Sequence, residues 1–179
     1  MLRTLVSASA LAVAVASASF AGEGDFTLGG GYSLIDVSEG GIDVNAGAVT
    51  FRGGYEFTDN FGFEGQLDFG VSDDSVVVGA QTVNFEVNHA ASLFGVFRAP
   101  VSENFNLFAR LGYTTAEVEA SVPGVAFADD ADGFAYGVGG EYFFDGRNGF
   151  RVDYTRHELD DADADVFGIS YVRRFGASR

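Results

Sequence analysis

Two histidines, His89 and His157, are the only side chains of this chain whose ordinary titration falls near neutral pH, and cysteine is absent. A hydrolase would need one of them beside a serine hydroxyl. His89 and Ser92 stand three apart; on a strand such residues face opposite ways, so they cannot cooperate without a bulge. His157 stands with Glu158 and Asp160 and has no serine nearby on its own face, which reads as a rim histidine bonded to a carboxylate. No catalytic residue, no enzymatic activity and no cofactor are expected.

Oxygen-rich stretches offer a second chemistry. Asp129, Asp130 and Asp132, and then Asp160, Asp161, Asp163 and Asp165, are ligands suited to hard cations such as Ca²⁺ and Mg²⁺. Neither stretch has the spacing of an EF-hand loop or its closing glutamate. They read as solvated acidic segments: no dedicated metal site, with weak divalent-cation binding at Asp129, Asp130, Asp132, Asp160, Asp161 and Asp163 as the candidate.

The third set is sparse. Arg52, Glu64, Asp68, Arg110, Glu141, Arg151 and Asp153 are isolated charges of both signs among Gly, Ser, Thr and Ala. A water-facing surface carries charges far more densely. A crowded interior needs small residues and a few charges that can pair. These seven are expected to form one connected network, with Arg52 and Glu64 coupled within it.

What would position them is a set of strands with two chemically different faces. Phe numbers 19, Gly 25 and Pro only 2, and period-two alternation recurs throughout. Phe26, Leu28, Tyr32 and Leu34 alternate with Thr27, Gly29, Gly31 and Ser33; Val49, Phe51 and Tyr55 with Thr50, Arg52 and Glu56. Phe61, Phe63, Leu67 and Phe69 alternate with Gly62, Glu64, Gln66 and Asp68; Leu93 and Phe97 with Ser92 and Arg98. In that fourth run Phe94 and Val96 interrupt the polar row, through either a bulge or a mixed lining. Leu107, Leu111 and Tyr113 alternate with Asn106, Arg110 and Thr114; Phe134, Tyr136, Val138 and Tyr142 with Gly137 and Glu141. Phe150, Val152 and Tyr154 oppose Arg151, Asp153 and Thr155, and Phe167, Ile169, Tyr171 and Phe175 oppose Gly168, Ser170 and Arg174.

Eight such runs suit an all-β, eight-stranded antiparallel up-and-down transmembrane β-barrel. The connections alternate as well. Those at 58–60, 99–104 and 145–148 are short, whereas those after runs one, three, five and seven are mostly longer and acidic. Short turns inside and long loops outside place both termini in the periplasm. A soluble barrel would instead turn the apolar face inward around a ligand, leaving the sparse row to water. The Gly-x-Trp signature of the lipocalins is ruled out, because there is no Trp.

The first residues set the compartment. Arg3 precedes an apolar run from Leu5 to Ala18, which ends in Ser19-Phe20-Ala21. This is a secretory signal cut after Ala21; the run is too short and too rich in Ala and Ser for an anchor helix. Residues 1–21 are therefore read as a signal peptide, and 22–179 as the barrel domain. Losing Arg3 takes the net charge from −16 to −17, and all basic residues are arginine. Such an acidic chain is a poor partner for nucleic acid, which needs a basic face.

The final strand, Phe167 to Phe175, alternates and closes in an aromatic, followed by Gly176-Ala177-Ser178-Arg179. On this strand and the eight runs, the chain resembles the small outer-membrane β-barrel superfamily of the OmpA transmembrane domain, OmpX/Ail and the opacity-type porin-family proteins. The resemblance implies a Gram-negative outer membrane, lipids as partners, and a last strand read by the barrel-insertion machinery. The function expected is a structural or surface-interaction role in the envelope, the alternative being a narrow pore for ions or small solutes.

Overall fold

The structure, a computed structural model, describes residues 24–39, 42–72, 74–78, 81–122, 125–160 and 163–176. Its strands are β1 (Phe26–Glu39), β2 (Ile42–Glu56), β3 (Phe61–Ser72), β4 (Asp74–Val78), β5 (Gln81–Pro100), β6 (Phe105–Val122), β7 (Val125–Phe143), β8 (Asn148–Leu159) and β9 (Asp163–Phe175). Each pairs antiparallel with its neighbour in the order β3-β2-β1-β9-β8-β7-β6-β5-β4, and β3 also pairs with β5. That last pairing closes the sheet. Since β3 pairs with β5 through Phe69↔His89 and β4 resumes at Asp74↔Phe85, the two form one stave of a closed eight-stranded barrel.

Alternation decides the two surfaces, as the sequence predicted. Leu28, Phe51, Phe63, Leu111, Val152 and Ile169 point outward, and Thr27, Thr50, Glu64, Arg110, Arg151 and Ser170 are buried inside. Outside, aromatic pairs such as Phe61–Phe97 and Tyr113–Phe134 join adjacent strands. In the fourth run the register is unbroken from His89 to Pro100, and Phe94 and Val96 both point inward; the lining is mixed. The bulge of β5 lies elsewhere, between Val87 and His89.

The three short turns share one device. Thr58 Oγ1 accepts from the Phe61 amide at 2.9 Å, Ser102 Oγ from the Asn104 amide at 3.4 Å, and Asp145 Oδ1 from the Arg147 and Asn148 amides at 2.9 and 2.5 Å. Such side-chain acceptors replace missing ladder bonds. Gly146 follows at φ 75°, where a side chain would be strained.

At the other end the structure corrects the expectation of acidic loops. β5, β6 and β7 run 20, 18 and 19 residues, against the ~9–11 that cross a membrane. Asp129, Asp130 and Asp132 lie on β7, paired with Val118, Glu117 and Thr115 of β6. Valines such as Val118, Val122 and Val125 favour an extended ladder, whose backbone pairing runs on through Asp129, Asp130 and Asp132.

Candidate functional site

The lumen gathers the sparse charges. Gly, Ser and Thr flank them because a barrel of eight strands has an interior only wide enough for side chains. Gly168 shows the crowding: a Cβ there would meet Arg52 Nη2 and Asp153 Oδ1 at 3.1 Å.

Arg151 on β8 grips Glu64 on β3 with two bonds, Nη1 to Oε2 at 2.5 Å and Nη2 to Oε1 at 3.0 Å. It also contacts Glu141 and Asp153, each at 3.3 Å. Arg110 on β6 joins Glu64 at 2.9 Å and Asp153 at 2.7 Å, and donates to Gln66 and Thr155. Arg52 on β2 reaches Asp153 at 3.2 Å, and donates to Gln66 and Ser170. Asp68 enters by neutral donors, accepting from Thr50 at 2.5 Å and Gln66 at 2.7 Å.

Position around the ring matters more than any single distance. Counted either way in the strand order, β3 and β8 are four staves apart, so Glu64 and Arg151 meet from opposite walls. At that height side chains bridge the full diameter.

The structure brings together all seven residues singled out in the sequence, with one change of partner. Arg52 bonds Asp153, and it meets Glu64 indirectly, through Gln66 with Arg110 and through Asp153 with Arg110 and Arg151. Arg98 is a further member, 3.4 Å from Glu141 and 3.8 Å from Glu64. Its inward parity was visible in the sequence. The inward phenylalanines Phe94, Phe108 and Phe143 share that parity too, and of them only Phe94 was singled out in the sequence. Arg110 stacks on Phe94 at 4.4 Å, Arg151 on Phe108 at 4.0 Å and Arg174 on Phe143 at 4.2 Å. Such stacking supplements the ion pairs where water is excluded.

His157 is not the rim histidine expected. It shares the inward parity of Arg151, Asp153 and Thr155, is buried, and its Nδ1 lies 3.1 Å from Thr114 Oγ1, a hydroxyl rather than a carboxylate. Thr114 is in turn 2.8 Å from Ser92 Oγ. His89 is exposed while Ser92 is buried, so those two do face opposite ways.

Of the acidic candidates, Asp132 accepts from Tyr113 Oη, and Asp163 and Asp165 hold Arg156 at 2.6 and 3.0 Å. Asp160 follows β8 and is exposed. The side chains of Asp129 and Asp130, and all of Asp161, lie outside the described residues. Among the described residues no three His, Cys, Asp or Glu are gathered for a metal ion.

A closed antiparallel barrel with an apolar outer face and ion pairs across its interior defines the class: a protein that crosses a membrane with strands. The model of the outer membrane protein beta-barrel domain matches residues 4–175, and the chain belongs to that family of outer-membrane barrels. Among solved structures it is similar to Ail, the attachment invasion locus protein of Yersinia pestis, at 22% identity and TM-score 0.66, over 86% of this chain and 100% of that one. Neisserial surface protein A is similar at 7% identity and TM-score 0.67, over 84% and 97%. OprG of Pseudomonas aeruginosa is similar at 14% identity and TM-score 0.65, over 87% and 97%. No curated protein sequence matches. At these identities the likeness to solved structures is one of fold.

Proposed function

We propose that this chain is a non-enzymatic outer-membrane protein with a structural or surface-interaction role, its lumen closed to ions. The observation that carries the reading is the bidentate Arg151–Glu64 pair joining opposite walls, flanked by Arg110, Arg52, Asp153 and Glu141. On this reading residues 1–21 are removed as a signal peptide, both termini and the short turns face the periplasm, and the insertion machinery reads β9. The test is a planar-bilayer recording of refolded protein beside a surface-protease assay on intact cells. Silence with cleavage restricted to the long hairpins supports the reading. Steady openings replace it with the narrow pore, whose foothold is the open vestibule of about 1220 Å³ at the short-turn end.

Ail was crystallised in complex with the heparin analogue sucrose octasulfate. We carry no such ligand over, because the long-hairpin end of this chain exposes Asp36, Glu158 and Asp160 and would repel a polyanion.

A further inference from the structure

Charges at the short-turn end are packed differently from those of the mid-lumen. Arg98 Nε is 3.5 Å from Glu56 Oε1, Arg174 Nη2 is 4.0 Å from the same oxygen, and Arg174 Nε is 3.7 Å from Asp25 Oδ2. Deeper in, Arg151 and Arg110 reach Glu64 at 2.5 and 2.9 Å. Glu56 Oε1, Arg98 Nη2 and Arg174 Nε are each buried without a hydrogen-bond partner. Arg98 is only 3% exposed. Unpaired buried polar atoms are costly, so three in one cluster call for an explanation. All three side chains reach the wall of the vestibule.

We propose that this vestibule binds a small zwitterion of the α-amino acid class, its carboxylate on Arg98 and Arg174 and its ammonium on Glu56, with Asp25 beside it. The sign of the lining selects the ligand. Three arginines and five carboxylates line the vestibule, so a simple anion enters against an excess of negative charge. A simple cation meets two guanidiniums that already lack a full set of acceptors. An α-amino acid carries both charges a few ångströms apart, the scale at which Glu56 Oε1 stands from the two guanidiniums. It supplies donors and acceptors together at hydrogen-bonding reach, where the residues there face one another only as ion pairs of 3.5 to 4.0 Å. The inference stands apart from the closed-lumen reading, because the site lies at the mouth and requires no passage.

The experiment uses the refolded full chain in non-ionic detergent micelles, followed through backbone amide shifts. Glycine is the probe, and acetate and methylammonium are half-ligands at matched ionic strength. Saturable shifts at Glu56, Phe57, Arg98 and Arg174 are expected with glycine, and binding at least about tenfold weaker for either half-ligand. Glu56→Gln and Arg174→Gln should each weaken glycine by about tenfold or more, whereas Asp160→Asn, at the far end, should leave it unchanged. Acetate binding as tightly as glycine overturns the proposal in favour of an anion site. Shifts that never saturate, or that survive both substitutions, overturn it outright. Should a variant fail to fold, the comparison of glycine with the half-ligands on the unaltered chain still decides.

Discussion

Within the lumen, single residues are worth less than the pairs they form. Removing one partner of a buried ion pair leaves the other charge uncompensated, at about 3–5 kcal/mol, whereas removing both is often nearly neutral. Arg151→Ala and Glu64→Ala should each destabilise by that order, and the double variant by far less than their sum, in a urea-unfolding cycle on vesicle-refolded protein. Arg52 and Glu64, which are linked through shared partners such as Gln66, Asp153 and Arg110 and not directly, should couple more weakly. A cycle in which Arg52 and Glu64 couple as strongly as Arg151 and Glu64 would contradict the geometry. Which charges face inward was legible from the sequence, because parity along a strand is a local property. Which of them pair was not. Glu64 and Arg151 are 87 residues apart, and their meeting depends on the tilt and stagger of the closed barrel, which no single run records. His157 was misread for a related reason: its acidic neighbours Glu158 and Asp160 are close in sequence, but its parity turns it inward to Thr114.

Strands and turns carry their own predictions. Leu111 is 63% exposed on the outer wall of β6, so Leu111→Arg should cost about 2–4 kcal/mol in a lipid bilayer, while Asp160→Arg beyond β8 should change stability little. Equal effects at the two sites would mean that the outer wall does not face lipid. Asp145 in the last short turn accepts from the Asn148 amide and side chain and from the Arg147 amide, which hold its carboxyl below the usual carboxylate range. A carboxyl depressed in the folded state stabilises above its unfolded value, and that contribution is lost as pH falls through the folded value. Unfolding rates compared at pH 7 and in acid should therefore show Asp145→Ala faster than the parent at neutrality and the two converging in acid. Strand existence was readable from alternation and short turns from their Gly, Asn and Asp. The length of the long hairpins was not, because carboxylates on β6 and β7 resemble loop composition even where a ladder continues beneath them.

The whole molecule combines a membrane-crossing wall with a strongly negative net charge of −16. Asp36, Glu158, Asp160, Asp163 and Asp165 share the long-hairpin end, where Arg156 is committed to Asp163 and Asp165. Asp132, Glu158, Asp163 and Asp165 there are engaged by Tyr113, Tyr136, Tyr154 and Arg156, Asp36 and Asp160 are exposed, and among the described residues no cage is gathered. Tight calcium sites need six to eight converging oxygens, so loosely held carboxylates should bind divalent cations weakly and at several positions. Exposed charges are also screened over about 10 Å at 0.1 M salt. Calorimetric titration with Ca²⁺ should accordingly show shallow, multi-site binding in low NaCl that fades in high NaCl. Asp163→Asn should alter it little, because that carboxylate is occupied by Arg156 at 2.6 Å. One tight, salt-insensitive site would instead mean that carboxylates of the β6–β7 hairpin converge on an ion, and would give that end of the barrel a dedicated metal role.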